Sequence, residues 1–231
     1  MLRPQKKVSK REIKEDQLVS RYFQIRKWVE DNKRLATYIV GTPVVAVAAL
    51  LLWNAKQNDA NNEASTRLAR ILPYYTDGRY EQAVSGIVQE GIQGLQQIVD
   101  NYGSTPSGEY AKLYLANCYL AEGKYDRARG YFKDVDVSDK LLGASALAGV
   151  ATCAEAMGNR EEAAMYFEKA ALNDMTELSA PEYLVDAAEN YSAVGNKAKA
   201  GELLETLKKE FPSSSYARDF NRYRAQYAPS T

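Results

Sequence analysis

Residues 35–53 carry no charged side chain, while both flanks are densely charged. The run goes from Leu35 through Ile39 and Val40 to Val44–Leu52, and closes on Trp53. As a helix rising about 1.5 Å per residue it reaches roughly 28 Å, close to the hydrocarbon thickness of a bilayer. Gly41 and Pro43 interrupt it, and helix breakers of this kind are tolerated in membrane spans. Tyr38 and Trp53 stand near its two ends, where amphipathic rings favour the headgroup level. The expectation is one N-terminal transmembrane helix with one cargo beyond it.

The net charge of the chain is zero, and that sum conceals a division. Residues 1–34 hold 11 Lys/Arg against 5 Asp/Glu, whereas residues 54–231 hold 19 against 25. Arg26, Lys27, Lys33 and Arg34 crowd the near flank, and Lys56 stands almost alone on the far one. Positive charge is retained on the cytoplasmic side. The N-terminus is therefore expected in the cytoplasm of a bacterium, with the large domain in the periplasm and the chain single-pass in the inner membrane. A cleaved signal peptide is the rival reading. It has a short basic region, an apolar core of about 7–15 residues and a small-x-small cleavage site. Here the basic region is 34 residues long and the run ends in Trp53-Asn54-Ala55-Lys56, which favours an uncleaved anchor.

The basic head, residues 1–34, has Ile13, Leu18, Tyr22, Ile25 and Val29 at mostly three- and four-residue steps, as in an amphipathic helix. Residues 54–63 are polar and read as a stalk. About 175 residues follow the anchor, enough for one domain with a sizeable core.

That domain repeats itself, from residue 64 to 231. Tyr119-Leu-Ala-Glu-Gly123-Lys-Tyr125-Asp-Arg-Ala128 aligns with Ala154-Glu-Ala-Met-Gly158-Asn-Arg160-Glu-Glu-Ala163. Tyr191-Ser-Ala-Val-Gly195-Asn-Lys197-Ala-Lys-Ala200 makes a third copy, and Tyr74 to Ala83 an earlier one. In each, a helix ends at a Gly able to take a positive φ, and a second helix begins at once. The Ala five residues after that Gly lets the paired helices approach, and Phe132, Phe167 or Leu204, nine after it, fills the space towards the next pair. Repeats of this length, with Ala116, Ala151 and Ala188 in the first helices, resemble the tetratricopeptide repeat. The expected fold class is all-α, an α-solenoid with units at about 64–103, 109–140, 144–175 and 181–212, and a capping helix over 215–227. In the first unit the Gly-rich segment 84–94 is expected to stretch the second helix.

The chain has two cysteines and no histidine. That combination excludes Cys/His zinc sites and Ser–His–Asp or Cys–His nucleophile systems. Cys118 and Cys153 occupy one position of successive first helices, whose axes lie roughly 8–10 Å apart, so a disulfide is disfavoured. The Gly-rich segment lacks a following Lys-Ser/Thr and is no phosphate loop. The exported part is acidic, which argues against nucleic acid. Neither catalytic residues, nor cofactors, nor metals are expected.

What remains is a surface. In a tetratricopeptide stack the first helices line the concave face. Leu68, Leu72, Tyr75, Tyr110, Leu113 and Tyr114, with Asn117, would make one apolar, aromatic end. Glu155, Glu182, Asp186 and Glu189 would make an acidic end. This partner groove suits a segment with apolar side chains at one end and Lys or Arg at the other. The same Tyr and Leu residues equally suit packing between helices. The clamp by which some tetratricopeptide proteins hold an acidic C-terminal tail is matched only at Asn117. Leu113, Ala148 and Val185 stand where its lysines belong.

The order of parts resembles a known family. Glu15-Asp16-Gln17-Leu18-Val19 leads to Phe23, then Val29-Glu30-Asp31-Asn32-Lys33 enters the anchor, and a Gln/Asn-rich stalk precedes the repeats. This is similar to the ancillary SecYEG translocon subunit family and, more closely, to anchored repeat proteins of the Bacteroidota and Chlorobi. The resemblance implies a scaffold beside the translocon, with translocon subunits, periplasmic chaperones or nascent chains as partners. A structural or assembly subunit of another membrane complex, respiratory or photosynthetic, is the alternative. No enzymatic residue is implied.

Overall fold

A computed structural model describes residues 10–136 and 138–228, without the side chains of residues 10–18, 36 and 39–41. The first ten head residues are thus nearly all outside the described part. The described chain forms two compact units, residues 1–57 and 58–231.

In the first unit, α1 spans Lys10–Asp31 and ends at a turn on Asn32. Its backbone N–H and side-chain amide both donate to the Trp28 carbonyl, at 2.9 and 3.0 Å. Helix α2 then spans Lys33–Thr76, running on into the second unit. Polar residues 54–63 are thus helical rather than a separate linker. Every described side chain from Leu35 to Trp53 is exposed, Leu52 to 74%. Among the described residues no helix is long and apolar enough to cross a membrane; four residues of the apolar run lack described side chains.

The second unit is a stack of helix pairs. The end of α2 pairs with a second helix that the Gly-rich segment breaks rather than stretches. It divides into α3, Tyr80–Ser85, and α4, Leu95–Tyr102, around a small antiparallel hairpin of β1, Gly86–Ile87, and β2, Ile92–Gln93. Gly86 has φ +84°, and a Cβ on Gly94 would lie 2.2 Å from the Val84 carbonyl oxygen, so only glycines bring the two strands this close. The following pairs are α5, Pro106–Ala121, with α6, Tyr125–Lys133; α7, Lys140–Ala156, with α8, Arg160–Asn173; and α9, Ala180–Ala193, with α10, Lys197–Glu210. The single expected capping helix is two, α11, Ser215–Arg218, and α12, Phe220–Tyr227, separated at Asp219.

The within-pair turn is one motif made four times. Gly78, Gly123, Gly158 and Gly195 all have φ between +73° and +85°. The next residue's N–H reaches back five positions, as Lys124 to the Tyr119 carbonyl at 2.8 Å and Asn196 to that of Tyr191 at 2.8 Å. This is the Schellman arrangement that satisfies the last carbonyls of a helix. Helix starts are capped by Thr105, Asp139, Asn196 and Ser214, each accepting a backbone N–H three residues on.

Packing follows the repeat register. Ala83, Ala128, Ala163 and Ala200 are fully buried, as are Ala116, Ala151 and Ala188. Phe132, Phe167 and Leu204 are buried too. One core joins the first two helix pairs and reaches Val150 and Cys153, and another joins α7–α10 and Phe220 of α12. A Cβ on Gly149 would lie 2.4 Å from the Phe132 ring, so α7 has a glycine where the preceding unit's aromatic presses in.

Candidate partner groove

The first helices of the pairs run parallel, so the positions read as concave-face residues recur in register. Tyr110, Ser145 and Glu182 lie 13 residues before their turn glycines; Tyr114, Gly149 and Asp186 lie nine before, and Asn117, Thr152 and Glu189 six before.

At the aromatic end, Tyr75 is the hub. Its ring meets Tyr114 edge-on with centroids 4.9 Å apart, and Tyr80 at 6.0 Å. Edge-to-face pairs of this kind set the rings rigidly relative to one another. Burial pushes the Tyr75 phenol up, and hydrogen bonding from Asn117 opposes the shift. Tyr114 and Asn117 are half-buried and Tyr110 is exposed, so this part of the cluster reaches solvent. Leu68 does not: it is buried in the core with Ile71 and Leu115, and Leu72 packs half-buried against the same core. Leu113 is half-buried between that core and Val135, Leu142 and Ala146. These three leucines hold helices together, because their positions face the neighbouring pair.

At the other end the four carboxylates differ in state. Glu155 takes an ion pair from Arg160 Nη1 at 2.7 Å and a hydrogen bond from Asn190 Nδ2 at 3.4 Å. Glu189 accepts from the Tyr227 hydroxyl of α12 at 2.7 Å. Burial and that bond both push the Tyr227 phenol up. Glu182 is exposed. Asp186 is half-buried and its pKa is pushed up to about 7, first by burial, then by Glu182, Glu155 and Glu189. It stands at the repeat position that Gly149 holds in the preceding pair. Tyr216 of α11 lies over the same group, raised by burial and then by Glu182 and Asp186.

Asn190 was not legible as part of this end. It occupies the position of Cys118 and Cys153, buried like them. Its amide donates to the Asp186 carbonyl at 2.9 Å and its Oδ1 accepts from Arg160 at 3.2 Å. A polar residue in an otherwise thiol column was the available signal. The two cysteines are free and buried, with thiols pushed up by burial, Cys118 to about 12 and Cys153 to about 11. They are poor nucleophiles in the folded protein.

Among the described residues no group of three or more His, Cys, Asp or Glu is placed to hold a metal ion. Nothing in the site points to catalysis. The positions read as a groove hold a tyrosine cluster at one end, the half-buried Ser145 and Thr152 in the middle, and carboxylates beyond them.

A stack of helix pairs with this turn and this alanine register defines a protein-interaction module of the helical-repeat class. The chain belongs to the tetratricopeptide repeat-like domain family, which it matches over residues 26–171. The match runs from the end of α1 to the third pair. The fourth pair lies beyond it and has the same turn geometry. No curated protein matches the chain.

Proposed function

We propose that this protein is a membrane-anchored interaction scaffold whose repeat unit acts on the exported side of the inner membrane, at the translocon. The family supports protein partners in general. The membrane reading rests on one observation above all. From Leu35 to Trp53 the described apolar side chains point out on every side of α2 with nothing packed on them, as Val44, Val45, Val47, Leu50, Leu51 and Leu52 do. A helix apolar all round is stable only where its surroundings are apolar too. Charge on its flanks supports a cytoplasmic head and a periplasmic repeat unit. The groove suits a partner segment with aromatic or aliphatic side chains beside Tyr110 and Tyr114 and a Lys or Arg near Glu182. Emerging chains and the chaperones that receive them are such partners, and the resemblance to ancillary translocon subunits supports them over others.

Photo-reactive residues at Trp28 and at Tyr114, crosslinked in cells and read by mass spectrometry of the adducts, test the proposal. Translocon subunits at Trp28 with chaperones or nascent chains at Tyr114 are expected. One respiratory or photosynthetic complex captured at both positions would replace this reading with that of a structural subunit.

A further inference from the structure

Every described side chain of α1 from Val19 to Asp31 is exposed. Six of them are large and apolar: Val19, Tyr22, Phe23, Ile25, Trp28 and Val29. Their arrangement is ordered. Tyr22, Ile25 and Val29 follow one another at three- and four-residue steps and share one side of the helix. Ser20, Gln24, Lys27 and Asp31 follow at the same steps on the opposite side. Val19 and Trp28 stand at the two edges of the apolar side, each next to an arginine, Arg26 at the first edge and Arg21 at the second. Phe23 lies off this side, and its ring meets Tyr22 edge-on with centroids 5.7 Å apart.

The charge around this side is lopsided as well. From Val19 to Arg34 the chain has Arg21, Arg26, Lys27, Lys33 and Arg34 against Glu30 and Asp31. Arg26 is paired with Glu30 at 3.0 Å, one turn on. Arg21, Lys27, Lys33 and Arg34 make no ion pair among the described residues. An uncovered apolar stripe edged by arginines, with free cations beside it, is a contact surface for something apolar below and anionic at its rim.

We propose that its occupant is an anionic lipid surface, with Tyr22, Ile25 and Val29 at the boundary of headgroups and acyl chains. The inference rests on the anchor reading above. Only Asn32, Lys33 and Arg34 stand between the end of α1 and Leu35, where the apolar run begins. Three residues span at most about 11 Å, so an anchor in the hydrocarbon keeps the end of α1 at the headgroup layer on the side from which the anchor enters. Arg21 and Arg26 can lay their aliphatic stems along the apolar side and keep their guanidinium groups among phosphates, and Trp28 has the amphipathic ring suited to that level. The unpaired cations add an attraction to anionic headgroups that salt screens.

The test uses the full chain, labelled with an environment-sensitive fluorophore on I25C or, for comparison, on Q24C, and reconstituted in vesicles with and without anionic lipid. The native thiols are buried and leave the unsubstituted chain unlabelled. The expected result is a blue shift of I25C in anionic vesicles and its quenching by shallow quencher-bearing lipids. The shift should weaken in zwitterionic vesicles or at high salt, and Q24C should stay water-like throughout. Equal, water-like emission from both labels in protein that floats with the vesicles overturns the proposal and leaves the anchor intact. An I25C shift of the same size with and without anionic lipid overturns the assignment to an anionic surface. A shift that follows the protein-to-lipid ratio and not the quencher assigns the stripe to a second copy, and also overturns it. Protein that does not float with vesicles overturns the anchor reading and this one together.

Discussion

The Tyr227 hydroxyl donates to the Glu189 carboxylate at 2.7 Å, so the last helix of the chain closes over the acidic end of the concave face. Phe220 of the same helix is buried against the α9–α10 core, with the Lys208 ammonium 4.6 Å from its ring centroid. The cap therefore does two things at once: it covers the apolar side of the final pair and occupies the Glu189 carboxylate.

Tyr227→Phe removes one charge-assisted hydrogen bond and keeps the ring packing. Because the pair is partly solvated, a loss of about 0.5–1.5 kcal/mol is expected, read as a lowered urea midpoint at unchanged slope.

Asp186 makes stability depend on pH. Its folded pKa, pushed up to about 7, lies above the ordinary aspartate value of 3.8. Between those values the folded state binds more protons than the unfolded one, so this group's contribution is full in acid and falls as pH rises towards 7. Asp186→Asn is expected to flatten that part of the profile and to stabilise the protein at pH 8 by up to about 4 kcal/mol. Urea midpoints of both proteins from pH 4 to 8 check it.

Gly149→Ala places a methyl group against the Phe132 ring, itself held in the core. Overpacking of this kind costs about 1–3 kcal/mol. The expected signature is a lowered thermal midpoint, partly restored when Phe132→Leu is added to give the ring's space back.

Two further glycines separate conformation from space. A Cβ meets nothing within 4 Å at Gly195 or Gly130, yet Gly195 has φ +85° and Gly130 lies inside α6. Gly195→Ala is expected to destabilise by about 1 kcal/mol, and Gly130→Ala to stabilise by about 0.5–1 kcal/mol. Thermal unfolding of the two variants side by side reads both signs.

Cys118 and Cys153 are expected to resist a thiol-specific reagent at neutral pH in the folded protein and to react together on unfolding, since burial both hides them and disfavours their thiolates. Reaction of either one first, without loss of helicity, would contradict this.

The helix pairs were legible because their signals are local. Gly123, Gly158 and Gly195 each need a positive φ that few other residues accept, and Ala128, Ala163 and Ala200 keep one spacing from them. The hairpin at Gly86–Gly94 was not, since two glycines eight residues apart say nothing about facing one another until the strands close. The groove divided the same way. Tyr110 is exposed and Tyr114 and Asn117 are half-buried, whereas Leu68, which like Leu113 stands ten residues before its turn glycine, is buried.

The chain on its own thus determined the apolar run, the count and register of the pairs, the turns between them and the class of partner such a stack takes. Each of these follows from side chains within a few residues of one another along one helix or turn. Only tertiary structure decided that Leu68 packs inside, that the Asp186 carboxyl is desolvated among other carboxylates, that Asn190 ties Glu155 to Arg160, and that Tyr227 covers Glu189. Those outcomes depend on which neighbouring pair lies against each position, and burial and charge state are properties of that contact rather than of the residue.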